Sequence, residues 1–248
     1  MAPKLPEDIF DPKTPDQKHE ATEAVRDKIN KERNAEFGRY LTDAFVRTMK
    51  SPAIAGRILG FQSMDMDGKI AFTQAFMGEL ADLINTDIDD DKVKIYNYEM
   101  EPLKGRVSEF SLNLFKEDIK LPHMKAMDFP TKGFLMAVNH IKELKINFDY
   151  PMYGMTDCFL MDLRHECAHV VDIYSPQISP LGREVAGVSI RNYVTPEENA
   201  DYYDQNHLEE NGQLDRAEYA GAIRAALKEI EEAFRAGRTT LQAQELKQ

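Results

Sequence analysis

One short string in this chain gathers three groups capable of joint chemistry within little more than a helical turn: His165-Glu166-Cys167-Ala168-His169. Histidines at i and i+4 of an α-helix project from one face, so both imidazoles can reach a single zinc ion, with Glu166 rotated to the flank beside the open coordination position. A metal so held lowers the pKa of a coordinated water to about 7, and a carboxylate at its side can take that proton and hand it to a leaving amine. The expected cofactor is therefore one Zn2+ per chain, with His165 and His169 as ligands and Glu166 as the catalytic base. Cys167 points about 200° around the helix from His165 and reads as a core residue.

These residues need a rigid carrier. Leu144, Ile146, Phe148 and Tyr150 alternate with polar residues and predict a strand that Pro151 stops. Thr156-Asp157 can then cap a helix from Cys158 through Asp172, with Phe159, Leu163, Cys167 and Val170 as its buried stripe. Asp162 and Asp172 flank the histidines at i−3 and i+3, as solvated helix acids or as groups that orient the imidazoles. A strand followed so closely by the metal-bearing helix lets a substrate strand pair beside the metal. After a loop with Pro176, Pro180, Gly182 and Gly187, the sequence Thr195-Pro196-Glu197-Glu198 predicts another helix, with a cap residue, proline at the first position and Glu198 at the capping-box position.

The HExxH string, its strand-then-helix setting and the later acidic helix together resemble the zincin metalloproteases over roughly residues 90 to 210. A metzincin would carry Gly three residues after the second His and a ligand three further on, where this chain has Asp172 and Ser175, and the Gly-Thr-x-Asp string of the aspartate branch is absent. The gluzincin branch, to which thermolysin belongs, remains. That resemblance implies a third zinc ligand from a glutamate on a downstream helix, here Glu197, with Asp201 one turn later as supporting carboxylate. Glu197-x-x-Ala200 also resembles the glutamate helix of the compact zinc peptidases that cleave phage-type repressors, although the spacing from His169 is longer than in thermolysin. Glu198 is the other available acid, already engaged by the capping box. The developing oxyanion needs a donor besides the metal, and Tyr193, Tyr202, Tyr203 and His207 are the candidates near the third ligand. The implied activity is that of a zinc metallopeptidase, an endopeptidase acting on a peptide or protein strand laid antiparallel to an edge strand.

The rest of the chain frames this core. Residues 1–17 hold Pro3, Pro6, Pro12 and Pro15 among charges and predict a loose leader, and Gln17 to Arg33 is almost wholly polar, a solvated or partner-facing helix. Phe37, Leu41, Phe45 and Met49 recur every four residues and predict a core helix, broken by Ser51-Pro52. A second helix from about Phe72 to Ile84 ends in the acidic run Asp87 to Asp91. Val93 to Met100 and Val107 to Leu114 then alternate as strands, and Tyr219, Ile223, Leu227, Ile230 and Phe234 stripe a last helix that Gly237 ends. The expected fold is a mainly helical α+β chain with a zincin-like small sheet and an HExxH active-site helix. Its expected division is a leader (1–36), a helical subdomain (37–90), a catalytic core (91–210) and a C-terminal helix packed on the core (211–248).

A competing reading starts at Ser63. The segment from Ser63 to Gln74 resembles an EF-hand calcium loop, with Ser63, Asp65, Asp67, Lys69 and Gln74 at ligand positions, Gly68 at the sixth and Ile70 at the eighth. Gln74 stands where a bidentate glutamate is expected, so any Ca2+ would bind weakly. On that view the chain is a non-catalytic acidic interaction protein. Composition limits both readings. A formal charge of −12 disfavours nucleic acid, and no apolar run approaches the ~20 residues of a membrane helix. Cys158 and Cys167, about 13 Å apart on one helix, cannot bridge each other, in keeping with a reducing compartment. The first residues lack a secretory signal, which predicts a cytoplasmic protein or one exported without a classical signal peptide. Oligomeric state is not legible.

Overall fold

The computed structural model describes residues 13–87, 100–102, 109–113, 136–139, 143–149, 151–174, 181–195, 198–213 and 216–237. It is mainly helical. Helix α1 (Pro15–Glu23) leads through a 3-10 turn to α2 (Lys31–Met49), α3 (Pro52–Ile58) and α4 (Met66–Asp87). Four strands follow, β1 (Met100–Pro102), β2 (Glu109–Asn113), β3 (Met136–Asn139) and β4 (Glu143–Asn147), and then α5 (Thr156–Tyr174), α6 (Gly182–Arg191), α7 (Ala200–Tyr203), α8 (His207–Gly212) and α9 (Arg216–Arg235). No helix among the described residues is long and apolar enough to cross a membrane.

The four-residue spacing on α2 does what it predicts: Phe37, Leu41, Phe45 and Met49 are all buried. They meet the inner face of α4, where Phe76 packs on Phe45 with ring centroids 4.9 Å apart. Helix α9 closes the other side of α2 through Tyr219, Ile223 and Ile230. Gly237 follows its last turn at φ +68°, the left-handed conformation a residue with Cβ avoids. Phe234, assigned to the same stripe, is 39% exposed, in the last turn of the helix.

The calcium-loop segment folds differently from expectation. Ser63 closes a 3-10 turn and helix α4 begins at Met66, so Asp67, Lys69 and Gln74 occupy helical turns in place of a twelve-residue loop. The Asp65 carboxylate accepts the Gly68 N–H at 2.8 Å, satisfying a donor at the helix start. Asp65 acts here as a cap, and Gly68, placed at the sixth position of the loop, is helical. The acidic residues that suggested a calcium site thus follow the preference for negative charge at helix N-termini.

Helix α5 is the axis of the fold. The predicted stripe of Phe159, Leu163 and Cys167 is buried, but so are Leu160, Arg164 and Ala168 on other faces. The helix is therefore enclosed by α2, α6, α8, α9 and β3 instead of lying on a surface. Phe159 anchors it, stacking on Phe61 at 4.5 Å and meeting the Tyr153 ring edge-on at 5.2 Å. In the strands, β4 pairs antiparallel with β2 and with β3, giving the order β1-β2-β4-β3. In the register Ile146 stands opposite both Phe110 and Met136, and Leu144 opposite both Leu112 and Val138. The alternating runs at 93–99 and Val107–Ser108, Leu114, and His123 and His140 lie outside the described residues. Strand β3 was not anticipated from alternation, since its run Met-Ala-Val-Asn is too short to show a period.

The predicted helix at Thr195 is also altered. Its capping box forms, with Thr195 N–H donating to Glu198 Oε2 at 2.9 Å and Glu198 N–H to Thr195 Oγ1 at 3.3 Å. It closes only one turn. Asn199 then returns to extended backbone and caps α7 afresh, its side-chain oxygen accepting from the Asp201 and Tyr202 N–H groups. Two strong cap residues four positions apart compete, and the second starts the helix.

Candidate metal centre

On α5 the i, i+4 spacing brings the His165 and His169 rings to a centroid distance of 4.5 Å, edge to face. Their Nε2 atoms are 2.9 Å apart. Two imidazole lone pairs cannot face each other at that distance without a proton or a cation between them. Together with Glu166, which is buried, they form a cluster whose donor atoms all lie within 4.8 Å of one another and that could hold a metal ion.

A fourth group arrives from a distant helix. Glu209 on α8 places Oε2 3.2 Å from His165 Nε2 and Oε1 3.5 Å from His169 Nε2. Donors at ~2.0–2.1 Å from a tetrahedral zinc stand about 3.3 Å from one another, and the nitrogen–nitrogen separation of 2.9 Å and the distances of 3.2 and 3.5 Å from each nitrogen to one Glu209 oxygen are of that size. Burial by itself would raise the Glu209 carboxyl, but His169 and His165 beside it hold it well below the usual carboxylate range. The site thus combines a fixed anion with two imidazoles, a set of borderline donors suited to zinc.

Two devices let α8 come this close. Gly212 lies against the histidines: a Cβ there would sit 2.6 Å from His165 Cε1 and 3.0 Å from His169 Cε1. Arg164, fully buried, donates from Nη1 to the Gly212 carbonyl at 3.1 Å and from Nη2 to the Gly38 carbonyl of α2 at 3.2 Å, with its guanidinium 4.3 Å from the Tyr219 ring centroid. A cation bonded to the last carbonyls of α8 also suits the negative end of that helix. The residue just before His165 therefore locks the glutamate helix to α2 and α9.

Two of the sequence candidates reach this centre. The Tyr193 hydroxyl donates to Glu209 Oε1. Tyr203 is close enough to feel the charge of the same carboxylate, and its ring meets Tyr193 edge-on at 6.1 Å. Burial first, and the Glu209 charge second, push both phenols upward, so both stay protonated donors at neutral pH. The other candidates lie elsewhere. Glu197 is outside the described residues. Glu198 is exposed, bound to its cap and to Lys18 at 2.5 Å. Tyr202 stacks on His19 at 4.2 Å, and Asp201 is exposed. Asp162 accepts from Tyr153 Oη at 3.3 Å, and burial raises its carboxyl. Cys167 is buried as expected, and desolvation, with Glu166 adding to it, pushes the thiol up to about 12.

Sequence reasoning passed over Glu209, yet it had a signal. Asn206 is a cap-type residue, Glu209 stands three positions later, and Gly212 supplies the small residue three further on. That is the same glutamate-x-x-small pattern assigned to Glu197-x-x-Ala200.

His207 was a candidate oxyanion donor and is instead buried on another face of α8, with Nδ1 3.3 Å from Ser189 Oγ and Nε2 without a hydrogen-bond partner among the described residues. Desolvation, assisted by Arg26, lowers its imidazole from 6.5 to about 4. Between these values the unfolded chain takes up a proton that the folded chain refuses, so stability falls as pH drops from about 6.5 to about 4. The loss is expected to reach about 3 kcal/mol, and urea titrations of the parent and of His207→Gln across that window check it. A variant that loses stability as steeply as the parent would exclude His207 as the cause. The contribution of Glu209 is separate and begins lower, as pH falls below its ordinary value of 4.5.

No protein-family model, no curated protein and no solved structure matches this chain.

Proposed function

We propose that this protein is a zinc-dependent metallopeptidase of gluzincin type, with His165, His169 and Glu209 as zinc ligands and Glu166 as general base. The observation that carries the reading is that His165 Nε2 and His169 Nε2 converge to 2.9 Å with the two Glu209 carboxylate oxygens 3.2 and 3.5 Å from one nitrogen each, and a buried glutamate beside them. Glu209 takes the role that the resemblance gave to Glu197.

A bound zinc would supply Lewis acidity, polarising the scissile carbonyl and bringing a coordinated water to a pKa of about 7. Glu166 takes the proton of the attacking water and delivers it to the leaving nitrogen. Tyr193 and Tyr203, kept protonated beside Glu209, are placed to orient that carboxylate. Either can also turn an O–H toward developing negative charge. The strand ladder serves as a zincin-like sheet. Its terminal strand β3 packs on α5, the helix that carries the histidines, and its outer edge is where an extended peptide would add. The substrate class is thus a peptide or an unfolded protein segment, cut within the chain.

Elemental mass spectrometry of the purified parent, His169→Ala, Glu209→Ala and Glu197→Ala tests the ligand set. The parent and Glu197→Ala are expected to hold about one zinc each and the other two much less. Full zinc in Glu209→Ala, or a parent that stays metal-free when zinc is supplied, would refute the assignment.

A further inference from the structure

The polar segment that precedes α2 does not stand free in solvent. Residues 13–30 run across the face of α6, α7 and α8, about 155 to 185 positions away in sequence, and tie to it at several points: Lys28 to Glu184 at 2.5 Å, Lys18 to Glu198 at 2.5 Å, and Arg26 to Glu210 at 2.9 Å. Arg26 also donates to the Gln205 carbonyl at 3.3 Å, just before α8 begins. Under these bonds lies a small apolar cluster distinct from the main core. Val25 is buried there against Leu181, Val185 and Ala186 of the α6 region, with Ile29 and Tyr193 packed at its margin.

Two routes therefore lead from this segment to one carboxylate. Val25 and its neighbours support Tyr193, whose hydroxyl holds Glu209. Arg26 grips Glu210 and the chain entering α8, the helix that carries Glu209. Helix α8 has only six residues and cannot hold its own position by helix propensity. From these contacts we infer that residues 13–30 are a clasp that keeps Glu209 in register with the two histidines, so that releasing the clasp weakens metal binding without unfolding the α2, α4 and α9 core. The inference rests on the reading of Glu209 as a zinc ligand. It also makes the clasp a point of control: cleavage within it, or a partner that draws it away, lowers zinc occupancy.

Val25→Asp combined with Arg26→Gln places a charge in the apolar cluster and removes the guanidinium. Two quantities are read in the full-length protein. Amide hydrogen exchange of the metal-free protein is expected to quicken across 200–213 while 219–235 is unchanged. The zinc dissociation constant is expected to rise about tenfold, the low end for groups that support a metal ligand. That rise should vanish when the same changes are made in Glu209→Ala. If the double variant does not fold, Arg26→Gln alone gives the same readings with a change of about threefold. Unchanged exchange, or zinc affinity within twofold of the parent, overturns the clasp and leaves the metal site standing. A rise in dissociation constant that persists without Glu209 also overturns it. A parent that binds no zinc overturns the clasp and the ligand reading together.

Discussion

Glu166→Gln is expected to keep its zinc and its melting temperature and to lose roughly 10²- to 10⁴-fold in kcat/KM. Glutamine matches glutamate in volume and retains a carbonyl oxygen, so the buried flank of the metal cluster stays filled. What it lacks is basicity: an amide cannot take a proton from water at neutral pH or return it to an amine. The proposed ligands His165, His169 and Glu209 are untouched, which separates this variant from those expected to lose metal. The measurement is cleavage of a diverse peptide library followed by mass spectrometry, with zinc content determined on the same samples. Cleavage at the parental rate by zinc-loaded Glu166→Gln would mean that the activity arises elsewhere. A peptide set uncut by the parent but bound to it would favour a binding role.

Gly212→Ala should be nearly as damaging although it adds a single methyl group and removes no polar atom. That methyl would lie 2.6 Å from His165 Cε1 and 2.8 Å from its Nδ1, inside contact distance, so the ring or the helix must shift. Either α8 moves outward, taking Glu209 from the histidines, or His165 turns out of its geometry. Overpacking of this kind costs about 1–3 kcal/mol, and a ligand displaced by a few tenths of an ångström should weaken zinc binding at least tenfold. Gly221→Ala on α9 is the matched control, since a Cβ there meets nothing within 4 Å. It should stabilise the protein by about 0.5–1 kcal/mol through helix propensity. Thermal melts and zinc titrations of both variants check the pair. Equal behaviour of the two glycine variants would show that α8 does not depend on close approach.

The same geometry explains why the proposed metal centre is only half legible in the sequence. His165, Glu166 and His169 share one helix, and their relation follows from 3.6 residues per turn, whatever the rest of the chain does. Glu209 is 44 residues from His165. Its place depends on Arg164 reaching the Gly212 carbonyl, on the absent side chain at Gly212 and on Tyr193 holding the carboxylate. Local signals pointed instead to Glu197, because a cap residue, a proline and two acids look like a helix start. They mark a single turn whose successor is capped again by Asn199. The acids at Asp65 and Asp67 misled in a similar way: oxygen-rich residues before a helix serve the helix N-terminus as readily as a cation.

What the amino-acid order determined alone was periodicity: the apolar stripes of α2 and α9, the ending of α9 at Gly237, and the HExxH helix with its two imidazoles on one face. Each of these depends on neighbours within a turn or two, where backbone geometry leaves little choice. Tertiary packing decided which carboxylate meets the histidines, that α5 is enclosed on nearly all sides, and that a polar segment at 13–30 lies against the glutamate helix. These outcomes depend on pairs of surfaces brought together from distant parts of the chain. A charge or a glycine acquires its role there only when the opposing surface is in place, as Arg26 does against Glu210 and Gly212 against the ring of His165.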